Sequence, residues 1–338
     1  MRSANTLVFV HDIVRQLSAS HAPSRRTPPW VALLSILAVF CAEVCAYAAV
    51  VYFDDFQQFA PGTSLTTLTY TPASGPPTAS ATTRVLNGSP TITASVLNGS
   101  TCAFFDNSVV INKSDYLASL AGSLNNEVLE ITWNMSIKST NSGPGVFMIS
   151  VPTTDSTASY NPPLAFMDTG SIVVFTNAPS PQAASLAGSW ANLADTFMTN
   201  RLILNYPERK LWFSLNGQPL VSSPLGLYFS NVVDRLGFTA FERSQGSIGN
   251  QFALDNVRVE TRSLAPTITS VQVSGATMTI AFTTLPSSLY AVETCTNLLP
   301  TSWASLTNNV PGTADITQVA DSSPALETVR FYRVLKSQ

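Results

Sequence analysis

Between Arg201 and Leu220 the chain reads RLILNYPERKLWFSLNGQPL, and few folds can accept that string. Two short apolar runs, Arg201 to Asn205 and Leu211 to Leu215, flank a polar turn that contains Pro207, and Asn216-Gly217 ends the second run. Asn-Gly is the strongest short hairpin signal because both residues accept the positive φ that a type I′ turn requires. Side chains alternate across a strand, so Leu202 and Leu204 share a face, as do Leu211, Phe213 and Leu215. The stretch predicts an antiparallel meander with one face on a core. Trp212 falls on the other face, beside Ser214 and across from Ile203.

The same period of two recurs along the chain. From Asn126 to Ile137, residues Leu129, Ile131, Trp133, Met135 and Ile137 take one face and Glu130, Thr132, Asn134 and Ser136 the other, which makes Trp133 a core residue. Val146 to Val151 and Ile172 to Phe175 are continuous apolar runs, the mark of central strands covered on both faces. Pro152 to Asp168 reads as a long polar loop, and Gln182 to Met198 has the composition of one short helix. In Gln251 to Glu260 the apolar phase is Phe252 and Leu254 before Asp255 but Val257 and Val259 after it, a slip that predicts a bulge at Asp255-Asn256. Nearly everything else is strand and turn, so the expected class is all-β.

The acidic-aromatic opening Phe53-Asp54-Asp55-Phe56, the closing Asp255-Asn256-Val257 and the meander ending in Asn216-Gly217 together resemble the concanavalin A-like and laminin-G-like jelly rolls, with Trp190 opening the late hairpin. The resemblance implies a jelly-roll β-sandwich over residues 49–262 whose first and last strands are neighbours. It also implies a structural Ca2+ held near Asp54, Asp55 and Asp255, since Ca2+ takes oxygen ligands from carboxylates and carbonyls. The alternative is that Asp255 bonds backbone amides at the bulge while Asp54 and Asp55 are solvated. After a linker at 263–266, residues 267–338 hold six or seven short strands. The Tyr290 to Trp303 stretch and Phe331-Tyr332-Arg333-Val334 resemble a C-terminal, fibronectin type III-like module of large secreted bacterial proteins. That implies a smaller β-sandwich used as a spacer or attachment unit.

The N-terminus supplies an address. Arg2, Arg15, Arg25 and Arg26 precede an apolar run from Trp30 to Ala42, and a run of about 13 residues is too short for a bilayer, which needs roughly 20. Ala46-Tyr47-Ala48 fits a signal-peptidase site, so residues 1–48 are expected to be a signal peptide and the protein secreted or at the cell surface. The competing reading is an uncleaved anchor through Val51 with Glu43 in hydrocarbon, and only that reading gives a membrane partner. Charged residues are 11% of the chain, its net charge is −3 and no basic run follows the first 30 residues, which excludes nucleic acid as a partner. Beyond the leader the cysteines are Cys102 and Cys295, expected as unpaired buried thiols.

The sequence excludes much catalytic chemistry. His11 and His21, the only histidines, lie in the leader, so the remainder cannot hold a Ser-His-Asp triad, a Cys-His pair or a His-ligated metal. Concanavalin A-like glycosidases place two carboxylates about 5 Å apart for retaining chemistry. Here Glu127 and Glu130, three apart, fall on opposite faces; a pair assembled from different strands, for example among Glu130, Asp168, Glu208 and Glu242, stays open, and the sequence singles out none. No catalytic residue is therefore expected. Carbohydrate binding needs an aromatic face and a few polar partners. Trp212 leads the candidates for stacking on a polysaccharide or cell-surface glycan of neutral or weak charge, followed by Trp190, Tyr160 and Tyr206. A purely structural or adhesive role with no small ligand stands as the alternative, and a glycan hydrolase or lyase as the third reading.

Overall fold

The structure, a computed structural model, describes residues 6–9, 49–65, 69–70, 81–86, 91–97, 100–106, 113–120, 127–138, 145–150, 164–167, 170–175, 184–189, 196–220, 225–226, 235–242, 251–274, 277–296, 302–313, 315–322 and 330–337. Among these residues there is no helix. The strands are β1 (Thr6–Phe9), β2 (Ala49–Asp54), β3 (Thr69–Tyr70), β4 (Ala81–Leu86), β5 (Thr91–Leu97), β6 (Ser100–Asp106), β7 (Lys113–Ser119), β8 (Val128–Lys138), β9 (Gly145–Ser150), β10 (Leu164–Met167), β11 (Ser171–Phe175) and β12 (Ala184–Ser189). There follow β13 (Met198–Asn205), β14 (Lys210–Leu215), β15 (Gln218–Pro219), β16 (Leu225–Gly226), β17 (Arg235–Glu242), β18 (Gln251–Arg262), β19 (Ile268–Ser274), β20 (Thr277–Thr283), β21 (Leu289–Cys295), β22 (Ala304–Pro311), β23 (Ile316–Asp321) and β24 (Phe331–Lys336). The chain divides into two compact units, Ala48–Arg262 and Ser263–Gln338, the latter grouped with the N-terminal β1.

The larger unit is built from two antiparallel sheets. One runs β15-β14-β13-β8-β18-β6-β5, with β16 on β14 and β2 on β18, and the other runs β12-β11-β10-β9-β17-β7-β4-β3. Their inner faces share one core. Trp133 of the first sheet lies 5.8 Å from Phe238 of the second, Phe213 lies 6.2 Å from Phe166, and Phe252 stacks on Phe147 at 5.1 Å. Large aromatic side chains on both inner faces join aliphatic ones in this core, and removing their apolar area from water is the dominant favourable term in folding. Trp133 is fully within this core at 1% exposure, as the alternation of its strand requires.

The meander forms as its sequence dictates. β13 pairs β14 with Leu202 opposite Phe213 and Ile203 opposite Trp212, and Asn216 and Gly217, which turn β14 into β15, both have positive φ, 50° and 76°. The Asn216 side-chain oxygen accepts from the Thr199 amide, which ties the turn back to β13. β2 pairs β18 from Asp54 opposite Val257 to Ala49 opposite Thr261, so the first and last strands are neighbours. The bulge lies where the slip in phase places it, between Asp255 and Arg258, with Asn256 at φ 51°. It has a topological use: before it the free edge of β18 pairs β6, and after it that edge pairs β2.

Two segments differ from their sequence reading. Within the segment expected as a helix, 182–198, the described residues include strand and no helix: Ala184–Ser189 pairs β11 as β12 and Met198 opens β13. Ala, Leu and Ser gave that segment helical composition, but propensity is a weak prior that a sheet edge offering backbone hydrogen bonds overrides. The expected loop at 152–168 contains β10, which sits between β9 and β11 in the second sheet. Four apolar residues, Leu164 to Met167, were enough for a strand once neighbours covered both edges.

In the smaller unit one sheet runs β1-β24-β21-β22 and the other β19-β20-β23. Ile268, Met278, Ile280, Phe282, Tyr290, Val292, Tyr332 and Val334 form its core. Two buried tyrosines keep their polar ends satisfied: the Leu285 amide donates to Tyr290 Oη at 2.7 Å, and Tyr332 Oη donates to Asp321 at 2.9 Å, where Arg330 also pairs. β1 belongs to the expected leader and pairs β24, from Thr6 opposite Val334 to Phe9 opposite Phe331. The run Trp30 to Ala42 lies outside the described residues, among which no helix is long and apolar enough to cross a membrane.

Candidate functional site

The site is the face of the first sheet that points away from the core. Alternation along β8, β13, β14 and β18 puts every second side chain there, and the strand registers align them in rows across the sheet. One row runs Trp212, Ile203, Glu130, Glu260 and Val50. The next runs Ser214, Arg201, Thr132, Arg258 and Phe53. Three strands carry the charged cluster: β18, after its bulge, shows Arg258, Glu260 and Arg262 to this side, β13 shows Arg201 and β8 shows Glu130.

Glu130 and Glu260 stand directly opposite each other on β8 and β18, a like-charge placement that is unfavourable unless compensated. Arginines compensate it. Arg201 Nε lies 2.6 Å from Glu130 Oε1 and Arg201 Nη2 donates to Oε2 at 3.1 Å, while Arg262 Nη1 lies 3.1 Å from Oε2. Arg258 Nε donates to Glu260 Oε1 at 2.7 Å, and its Nη2 pairs with the same oxygen. Each end of the cluster carries an aromatic ring, with the Arg201 guanidinium 6.0 Å from Trp212 and that of Arg258 6.0 Å from Phe53. Trp212 and Phe53 are both partly exposed, while Ile203 between Trp212 and Glu130 is buried.

The other residues singled out from the sequence lie elsewhere. Tyr206 occupies the β13–β14 turn but packs into the core at 9% exposure, and burial pushes its phenol well above the ordinary range. It presents no ring to a ligand. Tyr160 and Trp190 lie outside the described residues. Asp54, at 0% exposure, accepts from the Phe56 amide at 3.1 Å and from Tyr52 Oη at 3.3 Å. Asp55 accepts from the Gln57 amide, and Asp255 accepts from the Asn256 amide and side chain. These carboxylates serve local turns and the bulge, and among the described residues no three His, Cys, Asp or Glu side chains gather as a metal site. Cys102 and Cys295 are buried and are not joined in a disulfide. Burial, with the Asp255 carboxylate adding to it, pushes the Cys102 thiol up to about 11.

A carboxylate pair does meet across strands, Glu130 with Glu260, which the search through Glu130, Asp168, Glu208 and Glu242 missed. Glu208 instead bonds Asn205 within the turn, Glu242 belongs to β17 in the other sheet, and Asp168 lies outside the described residues. The signal was present, because the phase slip at Asp255-Asn256 fixes which side Glu260 faces. Retaining glycoside hydrolysis needs one carboxyl to give a proton and the other to attack carbon. Both Glu130 oxygens are instead bound to guanidinium groups. The arrangement suits a rigid recognition surface better than acid–base work.

No protein-family model matches the chain, and no curated protein matches it. Among solved structures it is similar to a sialidase at 8% identity and TM-score 0.40, covering 52% of this chain and 16% of that one. A mutant Trypanosoma rangeli sialidase displaying trans-sialidase activity matches at 13% identity and TM-score 0.42, over 64% of this chain and 31% of that one. The botulinum neurotoxin serotype D binding domain matches at 10% identity and TM-score 0.40, over 76% and 69%. The chain thus spans less than a third of the two sialidases, and at these scores the likenesses carry no argument about it.

Proposed function

We propose that this is a secreted, non-catalytic carbohydrate-binding protein whose larger unit holds a glycan against the outer face of its first sheet. The observation that carries the proposal is Trp212, which is partly exposed on that face instead of packed in the core, with a guanidinium over its ring. An exposed indole offers a pyranose ring an apolar plane, and nearby N–H donors fix its hydroxyls. Secretion rests on the leader and the Ala46-Tyr47-Ala48 site, and the smaller unit acts as a spacer or attachment module.

The test is retardation of the purified full chain in native gels cast with plant, algal or bacterial polysaccharides, alongside a glycan array. Retardation by at least one polysaccharide, without change in the polymer's length distribution, is the expected result. Cleaved products would point to an enzyme. No binding anywhere would leave a structural or adhesive role.

A further inference from the structure

We infer that the smaller unit associates with itself: the outer edge of β19 pairs antiparallel with β19 of a second copy of the chain, about a two-fold axis at Gln272. This goes beyond the carbohydrate reading, which concerns the larger unit. The edge is uncharged. No Asp, Glu, Lys, Arg or His occurs from Ser263 to Val292, a stretch that holds β19 and β20 whole.

β19 ends the sheet β19-β20-β23, and among the described strands β20 is its one partner. An edge strand turns N–H and C=O groups outward as a template for another strand, and proteins ordinarily blunt such an edge with charge, proline, a bulge or shortness. The other edges of this unit are blunted in those ways. β22 ends in Pro311 and pairs β21 with two register shifts, β23 follows Asp315 and closes on Asp321, and β1 has four residues. β19 has only a bulge at its start, between Ile268 and Ser270, and from Ser270 to Ser274 its pairing with β20 is regular. Over that regular stretch Ser270, Gln272, Val273 and Ser274 are exposed.

The sequence of that stretch commits the edge to a second copy of itself. Ser270-Val271-Gln272-Val273-Ser274 is a palindrome, so antiparallel pairing centred on Gln272 sets Val271 opposite Val273 of the other copy, Ser270 opposite its Ser274, and Gln272 opposite Gln272. Like residues meet in every row, no charges oppose, and a contact of this isologous kind closes at two copies. The valines also gain cover. Val271 stands opposite Ile280 and Val273 opposite Met278, two core residues at 0% and 3% exposure, which places both valines on the core side of the sheet. Val271 is half-buried and Val273 is 47% exposed because no described strand lies beyond them. A second β19 continues both rows and adds about four to six backbone hydrogen bonds.

The experiment follows the mass of the purified full chain by sedimentation velocity over about 1 to 300 μM, since one short strand pair buries less than the ~1,200 Å2 of a stable interface and a weak dimer is expected. The mass should rise from that of one chain towards that of two, and no further. Gln272→Lys sets like charges directly opposite each other in the dimer alone, and so does Gln272→Glu. Each should weaken association at least about fivefold at low salt, with the monomer's melting temperature retained because Gln272 is exposed. An equimolar mixture of the two variants should restore the dimer. Val273→Thr, which keeps the shape and strand preference of valine, should weaken association severalfold, and it carries the comparison if a charged variant does not fold. A mass that stays at one chain over the whole range overturns the inference. Growth past two chains shows open-ended pairing and overturns the two-fold contact. A dimer indifferent to Gln272→Lys, Gln272→Glu and Val273→Thr places the interface elsewhere and overturns it as well.

Discussion

Replacing Glu130 by Gln tests whether the outer face is a preorganised network or a set of solvated pairs. Glu130 is held by Arg201 at 2.6 Å and Arg262 at 3.1 Å, and the three side chains are 11%, 19% and 13% exposed. Fully exposed pairs contribute about 0–1 kcal/mol, while removing one partner of a buried pair costs about 3–5 kcal/mol. At these exposures the loss lies between, at about 2 kcal/mol, and a few tenths return because the like charge opposite Glu260 is gone. For a unit of this size ~1 kcal/mol moves the melting temperature by about 2–4 °C, so the expected drop is about 4–7 °C. Urea denaturation of wild type, Glu130→Gln, Arg201→Gln and the double variant would give a coupling energy of about 1 kcal/mol or more. A Glu130→Gln variant as stable as wild type, with no coupling to Arg201, would refute the network.

In the smaller unit, a Cβ on Gly312 would lie 2.2 Å from the Leu285 carbonyl oxygen and 2.7 Å from Tyr290 Cε2, and neither is the far end of a flexible chain. Gly312→Ala should therefore cost about 1–3 kcal/mol or more, read by calorimetry as a lower transition for that unit alone. Cys102 makes a pH prediction. Its thiol is raised from 9.0 to about 11 in the fold, so its contribution is complete below pH 9 and is lost as pH climbs from about 9 towards 11. Wild type should lose stability over that window more steeply than Cys102→Ala, and the native thiol should resist thiol reagents at pH 8. Because Asp54 and Asp255 are already engaged by protein donors, EDTA should leave the melting temperature unchanged. A fall of several degrees that added Ca2+ restores, and that Asp255→Ala abolishes, would establish the metal instead.

Much of the larger unit was legible because its strands announce themselves twice, by alternation and by turn chemistry. Asn216-Gly217 fixed the hairpin, and the phase slip around Asp255 located a bulge whose role in passing the edge of β18 from β6 to β2 only the sheet order reveals. Short strands such as β10 and β12 were not legible, since their formation depends on neighbours distant in sequence. The site was half legible. The position of Trp212 followed from its own strand, and Arg201, Arg258, Glu260 and Arg262 all stood on the correct parity, but their convergence on Glu130 needs the register between β8, β13 and β18. Tyr206 misled because a turn position in sequence gave no hint that its ring folds back into the core.

The claim that matters most is that Trp212 is a binding residue and not a structural one, and one paired measurement addresses it. Affinity-gel retardation and thermal midpoint are to be recorded for wild type and Trp212→Ala on the same polysaccharide. A stacking contact is worth ~1–3 kcal/mol, so binding should weaken about 5- to 150-fold while the midpoint shifts by no more than a few degrees, since the loss of one Arg201–indole contact costs only about 0.5–1 kcal/mol. If Trp212→Ala instead unfolds the domain, or folds and binds as wild type does, the outer face is not the carbohydrate site.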